Sequence, residues 1–415
     1  MKAIKYILFI LMTYIGLVCH GQEVRLNLQE CIDAALRDNL DLRSSNLEVA
    51  KSQDLQGSWL DLPQTSISLS QDPTSGGSPD NAVTFSQSFE FPTSYVAKRK
   101  YLKAETEVAK SNLNVSRNEV IRDVSSCYYT LLMAQRTVEI LQKQDSVYSH
   151  FVYLADTRYK VGEISHLELI NAQRAYNENK IELQKAVQSC VTAQLALGRL
   201  LNTDVSIVPS EPLAEITDNN IQEPFIFENT PTQGFLKAQM EASRRNLSVA
   251  RQGFVPELSI GVNVQALIKG FNPYHIERER FEKGNFMGFE VGISVPLFFG
   301  AQRAKVKAAK RDIELNEVAM RQARQTMESQ YQEAENELKR ARQVLDYYKR
   351  QGVTEAAAMA RLSQVEYDNG EIGYVEYIQN QQTALDIQLK YAGAINDYNQ
   401  AILMLNYLNN TSVNF

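Results

Sequence analysis

The sequence predicts an α+β membrane protein, a duplicated unit that carries four short strands per chain among long coiled-coil helices. Three observations lead there. Tyr159-Lys160-Val161-Gly162-Glu163-Ile164 returns as Tyr367-Asp368-Asn369-Gly370-Glu371-Ile372, an offset of 208 positions. Two stretches of roughly seventy residues keep heptad spacing. Four segments of about seven to eleven residues alternate apolar with small polar side chains, the period of a strand with two different faces. At the same offset Leu167-Glu168 aligns with Val375-Glu376, Gln173 with Gln381, and Asn202 with Asn410.

The plan along the chain follows. Residues 1–21 read as a secretory signal: Lys2 and Lys5 precede an apolar run from Tyr6 to Val18, and Gly21 suits cleavage before Gln22. Removing them moves the net charge from -6 to about -8. Cys19 stands where a lipidated cysteine could, but Val18 is not the small residue a lipobox needs. Cys31, Cys127 and Cys190 have no paired spacing and read as buried small side chains. No later apolar run is long enough to cross a bilayer as a helix, and the acidic balance argues against a nucleic-acid partner.

The first repeat spans 22–209. It opens with a helix over Leu28–Leu60, then a β-hairpin over 65–91. There Ile67 and Leu69, then Val83, Phe85 and Phe89, alternate with serines and threonines around a turn-forming Asp72–Asn81 stretch. A long helix over about 93–160 follows, with a seam at Val120, Val124, Cys127, Leu131, Ala134, Val138, Leu141, Asp145, Tyr148 and Val152. A tip at 161–164 breaks it, and a return helix runs to Leu201. Residues 210–230 form a proline-bearing linker. The second repeat, 231–410, has strands at 257–266 and 286–295 and a second uninterrupted helix over about 301–369. Its seam is Met327, Tyr331, Ala334, Leu338, Ala341, Leu345 and Tyr348. The tip lies at 369–373, a return helix ends near Asn409, and 411–415 is a tail. Each long helix would be roughly 100 Å, and the shorter helices stacked end to end would match it.

The strands' apolar-out, polar-in pattern suits a membrane barrel around water; a soluble sheet packed on helices would show the same alternation. Four strands cannot close, and open edges are not tolerated in lipid, so copies must pool their strands. Eight strands would be filled by side chains, so a serine-lined pore favours three chains or more.

At this point the residues resemble the outer-membrane efflux protein family, the TolC-like channel tunnels. The resemblance rests on Leu26-Asn27-Leu28-Gln29-Glu30-Cys31-Ile32-Asp33-Ala34-Ala35-Leu36 with Asn39, on the two tips, and on Leu167-Glu168-Leu169-Ile170-Asn171-Ala172-Gln173 after the first. It implies a homotrimer with a twelve-stranded outer-membrane β-barrel and a long periplasmic α-helical barrel. Its partners would be a periplasmic adaptor (membrane fusion) protein and an inner-membrane pump of the RND or ABC type. The family exports drugs, metal cations, dyes or proteins without chemistry of its own.

Site expectations follow from both readings. Val161, Gly162, Glu163, Ile164, Gly370, Glu371 and Ile372 would form adaptor-docking tips, though Gly162 and Gly370 could be helix caps only. The resemblance places an acidic residue of the periplasmic gate at Glu376, which three copies would turn into a ring favouring cations. A second acidic position of the family is Gln379 here. Glu168, the equivalent in the first tip, would face outward. Ser66, Ser68, Ser86, Glu90, Asn263 and Glu290 would line the barrel lumen, with Phe85, Phe89, Phe91, Phe286, Phe289, Phe298 and Phe299 as an interfacial girdle. Trp59 and Tyr95 could join it or pack between helices. His150, His166 and His275 are far apart, and there is no metal, phosphate or nucleophile motif, so no enzyme activity, metal site or cofactor is expected. The alternative to a duct is an exported coiled-coil stalk or adhesin. A stalk has no need of serine-faced hairpins. Phe91-Pro92-Thr93-Ser94-Tyr95 resembles relatives paired with metal-cation pumps.

Overall fold

A computed structural model describes residues 23–72, 80–217, 224–265 and 286–411. The signal segment with Cys19, the turn tip at 73–79, the loop bearing His275, and the end of the tail lie outside the described residues. The chain divides into two compact units. One comprises Met1–Ser44, Asn114–Pro231 and Arg324–Phe415; the other comprises Ser45–Leu113 and Thr232–Ala323. Each unit draws on both sequence repeats.

The second unit holds the sheet. Strands β2 (Ser66–Asp72), β3 (Asp80–Phe89), β5 (Glu257–Gln265) and β6 (Phe286–Ser294) pair antiparallel in the order β2-β3-β5-β6. The register joins Ser66, Ser86, Gly261 and Glu290 in one row and Ser68, Thr84, Asn263 and Gly288 in the next. Directly opposed residues share a face, so these rows make one polar face. The offset rows, Ile67, Phe85, Val262 and Phe289, then Leu69, Val83, Val264 and Met287, make the apolar one. The expected alternation is therefore realised across four strands in register. β3 and β6 run in the same direction, so the helices that follow them leave from one edge of the sheet. Helices α2 (Leu40–Leu55), α5 (Pro231–Gln252), the start of α3 (Pro92–Lys160) and the start of α6 (Gly300–Tyr347) complete this unit. The Thr106 hydroxyl donates to the Ser52 carbonyl, tying α2 to α3. Asn316 donates to the Ser243 hydroxyl, tying α6 to α5.

The first unit holds the tips. β1 (Val24–Leu26) pairs parallel with β4 (Ile207–Pro209), and α1 (Leu28–Asp38) packs on the return helix α4 (His166–Leu201). Asn27 and Glu30 form a reciprocal capping box at the start of α1. The linker is held on the second return helix, α8 (Tyr374–Asn409). Buried Asn399 accepts from the Ile216 amide at 2.9 Å and donates to the Ala214 carbonyl at 2.8 Å. Arg324 pairs with Glu228 and lies over the Phe227 ring.

Four expectations change. The opening helix is not continuous: Asn39 is extended, and its side-chain oxygen accepts from the Asp41 and Leu42 amides, starting α2 afresh. Asparagine competes for backbone donors in this way, which is why it caps helices rather than continuing them. A 3-10 turn over Gln56–Leu60 ends the segment. The second long helix is also interrupted, by a π-turn at Tyr348–Gly352 before α7 (Val353–Asp368). A Cβ on Gly352 would stand 2.9 Å from Tyr348 Cδ1, so any larger residue here would force the Tyr348 ring to move. In α3 two seam positions beyond Leu141 move by one residue: Gln144 and Phe151 are buried in place of the expected Asp145 and Val152, while Tyr148 between them is buried as expected. Asp145 thereby escapes the seam and accepts from Asn179. Finally, Glu90 lies beyond the last residue of β3 and pairs with Lys98 at 2.5 Å, so it is not on the sheet's polar face.

Candidate functional site

Both tips are built on the same backbone device. Helix α3 ends at Lys160; the Glu163 amide donates back to the Arg158 carbonyl and the Gly162 amide to the Tyr159 carbonyl. Helix α7 ends at Asp368, with Glu371 donating to Glu366 and Gly370 to Tyr367. This pair of bonds needs a left-handed residue, and Gly162 (φ 81°) and Gly370 (φ 76°) supply it. The return helices end alike on left-handed Asn202 and Asn410, the positions aligned by the repeat.

The expected tip residues divide into two groups. Val161, Gly162, Glu163, Gly370 and Glu371 are exposed, Val161 at 67%. Ile164 and Ile372 turn inward and pack against a buried cluster. That cluster joins the two hairpins through Tyr148, Phe151, Leu169, Tyr367, Tyr374 and Tyr377. Phe151 lies 5.0–5.4 Å from the rings of Tyr367, Tyr374 and Tyr377, and Arg158 sits over Tyr367. Burial raises the hydroxyl pKa of Tyr367, Tyr374 and Tyr377 above the ordinary tyrosine value. The Tyr377 hydroxyl donates to Gln364 at 2.5 Å. Sequence reading missed this cluster. Its signal was the tyrosine excess on both sides of the second tip, at Tyr367, Tyr374 and Tyr377.

Glu376 and Gln379 lie on an exposed face of α8, turned away from buried Tyr377 and Ile378. Among the described residues Glu376 has no ion-pair partner. Glu168, its repeat equivalent, is engaged: its amide donates to the Ser165 hydroxyl, which donates back to its carboxylate. The two acids are therefore not interchangeable.

On the sheet, Ser66, Ser68, Ser86, Asn263 and Glu290 share the polar face as expected. Glu290 is opposed by Gly261 and flanked on its own strand by Gly288 and Gly292, so no large side chain surrounds it. The apolar face is laid open: Phe289 is 88% exposed and Val291 71%. Phe85, Phe89 and Phe289 lie on that face, whereas Phe91, Phe298 and Phe299 lie at the helix-bearing edge. Tyr95 is buried, and its hydroxyl accepts from the Glu90 amide. Trp59 is partly exposed beneath the Arg99 guanidinium, 5.5 Å from the ring centre. Among the described residues no helix is long and apolar enough to span a membrane, and no acid, histidine or cysteine cluster could hold a metal.

Comparison with known proteins closes the assignment. The profile of the outer membrane efflux protein family matches residues 31–203 and 229–410, both repeats with the linker between them. The cobalt-zinc-cadmium resistance protein CzcC of Cupriavidus metallidurans is 19% identical over 306 residues, covering 71% of this chain and 68% of that protein. The CmeC outer membrane channel of Campylobacter jejuni superposes with a TM-score of 0.76 at 18% identity, over 92% of this chain and 85% of that one. CusC superposes at 0.77 with 15% identity, over 94% and 93%. The structural likenesses establish the fold, and the profile match over most of the chain decides between duct and stalk. The chain belongs to the outer membrane efflux protein family and is an efflux duct of the outer membrane.

Proposed function

We propose that three copies of this chain close one twelve-stranded barrel and that the duct accepts cargo from a periplasmic adaptor and an inner-membrane pump of the RND or ABC type. The observation that carries the reading is the sheet itself. It has one apolar and one polar face, and β2 and β6 each leave an edge unpaired within the chain. In lipid such edges must find partners, and another copy offers the matching one. Further support comes from the helices. α4 exposes Leu167, Ile170, Ile181, Val191 and Leu195 along one heptad-spaced stripe, and Val344, Tyr347, Leu362 and Val365 stay exposed in the second hairpin. These are the faces a neighbouring copy would cover.

In this arrangement Ser66, Ser68, Ser86, Asn263 and Glu290 line the lumen. Val161, Gly162, Glu163, Gly370 and Glu371 present the docking surface, with Ile164 and Ile372 holding it from within. Glu376 forms the acidic ring at the periplasmic entrance, with Gln379 a neutral turn beyond. The duct is passive. The likeness to CzcC supports divalent transition-metal cations as cargo. The strands add to this: their only ionisable residues are Asp72, Asp80, Glu257 and Glu290, all acidic.

The test has two parts. Outer-membrane fractions run on unheated gels should show a heat-dissociable trimer, and recovery of monomer alone would sink the closure. A deletion strain should gain sensitivity to cobalt, zinc or cadmium, restored by the wild-type chain and less by Glu376→Gln. Sensitivity to detergents and antibiotics with none to metals would refute the cargo while leaving the duct.

A further inference from the structure

The chain carries a net charge of -6, yet its cations are not spread evenly. The first twelve residues of α3, Pro92–Lys103, hold Lys98, Arg99, Lys100 and Lys103 and no acid. The first twelve of α6, Gly300–Arg311, hold Arg303, Lys305, Lys307, Lys310 and Arg311 and no acid. Both helices leave the same edge of the sheet, directly after β3 and β6. All but Lys98 are exposed.

Charge alone on a helix face is usually only solvation, so what matters is what these cations do with one another. Lys98 is taken by Glu90 and Arg311 by Glu314. Lys100, Lys103, Arg303, Lys305, Lys307 and Lys310 have no carboxylate within ion-pair distance among the described residues. The apolar surface is continuous with them. Leu297 and Phe298, just before α6, are 77% and 92% exposed. Exposed Val96 lies one turn before Arg99 and Lys100, and exposed Phe299 lies one turn before Arg303 and two before Lys307.

From the sheet toward the helices the order is apolar strand face, exposed aromatic and aliphatic collar, then unpaired cations. That is the order of hydrocarbon, interface and phosphate in one leaflet of a bilayer. At 1.5 Å per residue Lys310 is about 15 Å along α6, and long basic side chains reach back toward the interface. We infer that this belt binds the phosphate headgroups of anionic phospholipid in the leaflet facing the periplasm. The inference rests on the membrane-channel reading and adds a lipid partner to it. Unpaired cations near such a surface are attracted by its negative potential, while a zwitterionic headgroup offers far less. Arg99 over Trp59 anchors the collar to the belt, an aromatic ring and a cation at one depth.

Trp59 is the chain's one tryptophan, so it reports on this place alone. The experiment uses the full-length channel in lipid nanodiscs and compares quenching by acyl-brominated phosphatidylglycerol with quenching by the phosphatidylethanolamine analogue. The expected result is an apparent preference of about five-fold for phosphatidylglycerol at low salt. It should fall below about two-fold in roughly 0.5 M salt, where screening shortens to a few ångströms. The combined variant Lys100→Gln, Lys103→Gln, Arg303→Gln, Lys305→Gln and Lys307→Gln should lose it equally while keeping wild-type conductance. Equal quenching by the two lipids overturns the inference, and so does quenching by neither, which would turn this face away from lipid. A preference surviving in the variant also overturns it. Crosslinks from Lys100 or Lys305 to an acidic periplasmic protein, with no lipid preference, would assign the belt to protein docking instead. Discs that conduct ions but show no preference sink this inference alone; a chain that never inserts sinks the channel reading.

Discussion

Gly162 and Gly370 turn the chain through the same left-handed conformation, with the same two return hydrogen bonds, but the residues around them differ in what they hold. After the first tip Ser165 caps α4 and occupies Glu168. After the second, Gly373 starts α8 with no side-chain cap, and Glu376 stays exposed. The second tip supplies Tyr367, Tyr374 and Tyr377 to the shared cluster, against Tyr148 and Phe151 from α3. The long helix leading to it carries the π-turn that α3 lacks. Duplication thus preserved the turn, whose left-handed backbone glycine adopts without strain, and left the flanks free to diverge. The first tip is closed by its own side-chain cap, whereas the second is held mainly by aromatic packing.

That contrast can be broken in order of effect. Tyr377→Ala empties a site where the side chain is 1% exposed, and should cost about 3–5 kcal/mol of local stability. Hydrogen exchange should then rise over 367–381 more than over 158–172, and equal change in both would show that the tips are not held differently. Alkali probes the same cluster without mutation. The folded hydroxyls titrate above their unfolded value, so their contribution is complete below a pH of about 10 and is lost as pH rises through the folded values. Amide protection at the second tip should fall in that window, and a loss beginning near neutrality would contradict it.

Gly162→Ala and Gly370→Ala should each cost roughly 1–2 kcal/mol, since a Cβ meets nothing within 4 Å at either and only the backbone is strained. Limited proteolysis should report equal sensitisation; a large inequality would mean that the two turns are not equivalent. The smallest effects are at the caps. Ser165→Ala should cost about 1 kcal/mol, and Gly373→Ser should gain a few tenths. Urea titration followed by exchange at each tip would check both.

Much of this was legible in the chain. Ile67 and Leu69 among serines fixed the strand faces, because a period of two has one physical reading once a face is apolar. The tip glycines were legible because a repeat placed them at equivalent helix ends. Other features left no periodic trace. β1 and β4 are three residues each, too short for alternation to register. Asn39 looked like one more polar helix residue, since only its bonds to Asp41 and Leu42 reveal the break. Gly352 was hidden for the opposite reason: it follows directly on the seam through Leu345 and Tyr348, and a π-turn keeps the chain helical while changing its phase. Alternation alone places Glu90 on the sheet's polar face, but β3 ends at Phe89 and Glu90 pairs with Lys98 eight residues on.

The unpaired borders of β2 and β6 have one more consequence, for biogenesis. Every backbone amide left bare in hydrocarbon costs several kcal/mol, and each border carries a row of them. A solitary subunit therefore has no comfortable intermediate inside the bilayer. For the proposed trimer this couples association to insertion, and once sealed such a ring has no easy route for exchanging a member. Mixing two distinguishable versions of the chain after insertion should leave parental assemblies, whereas co-expressing them from the start should yield hybrids.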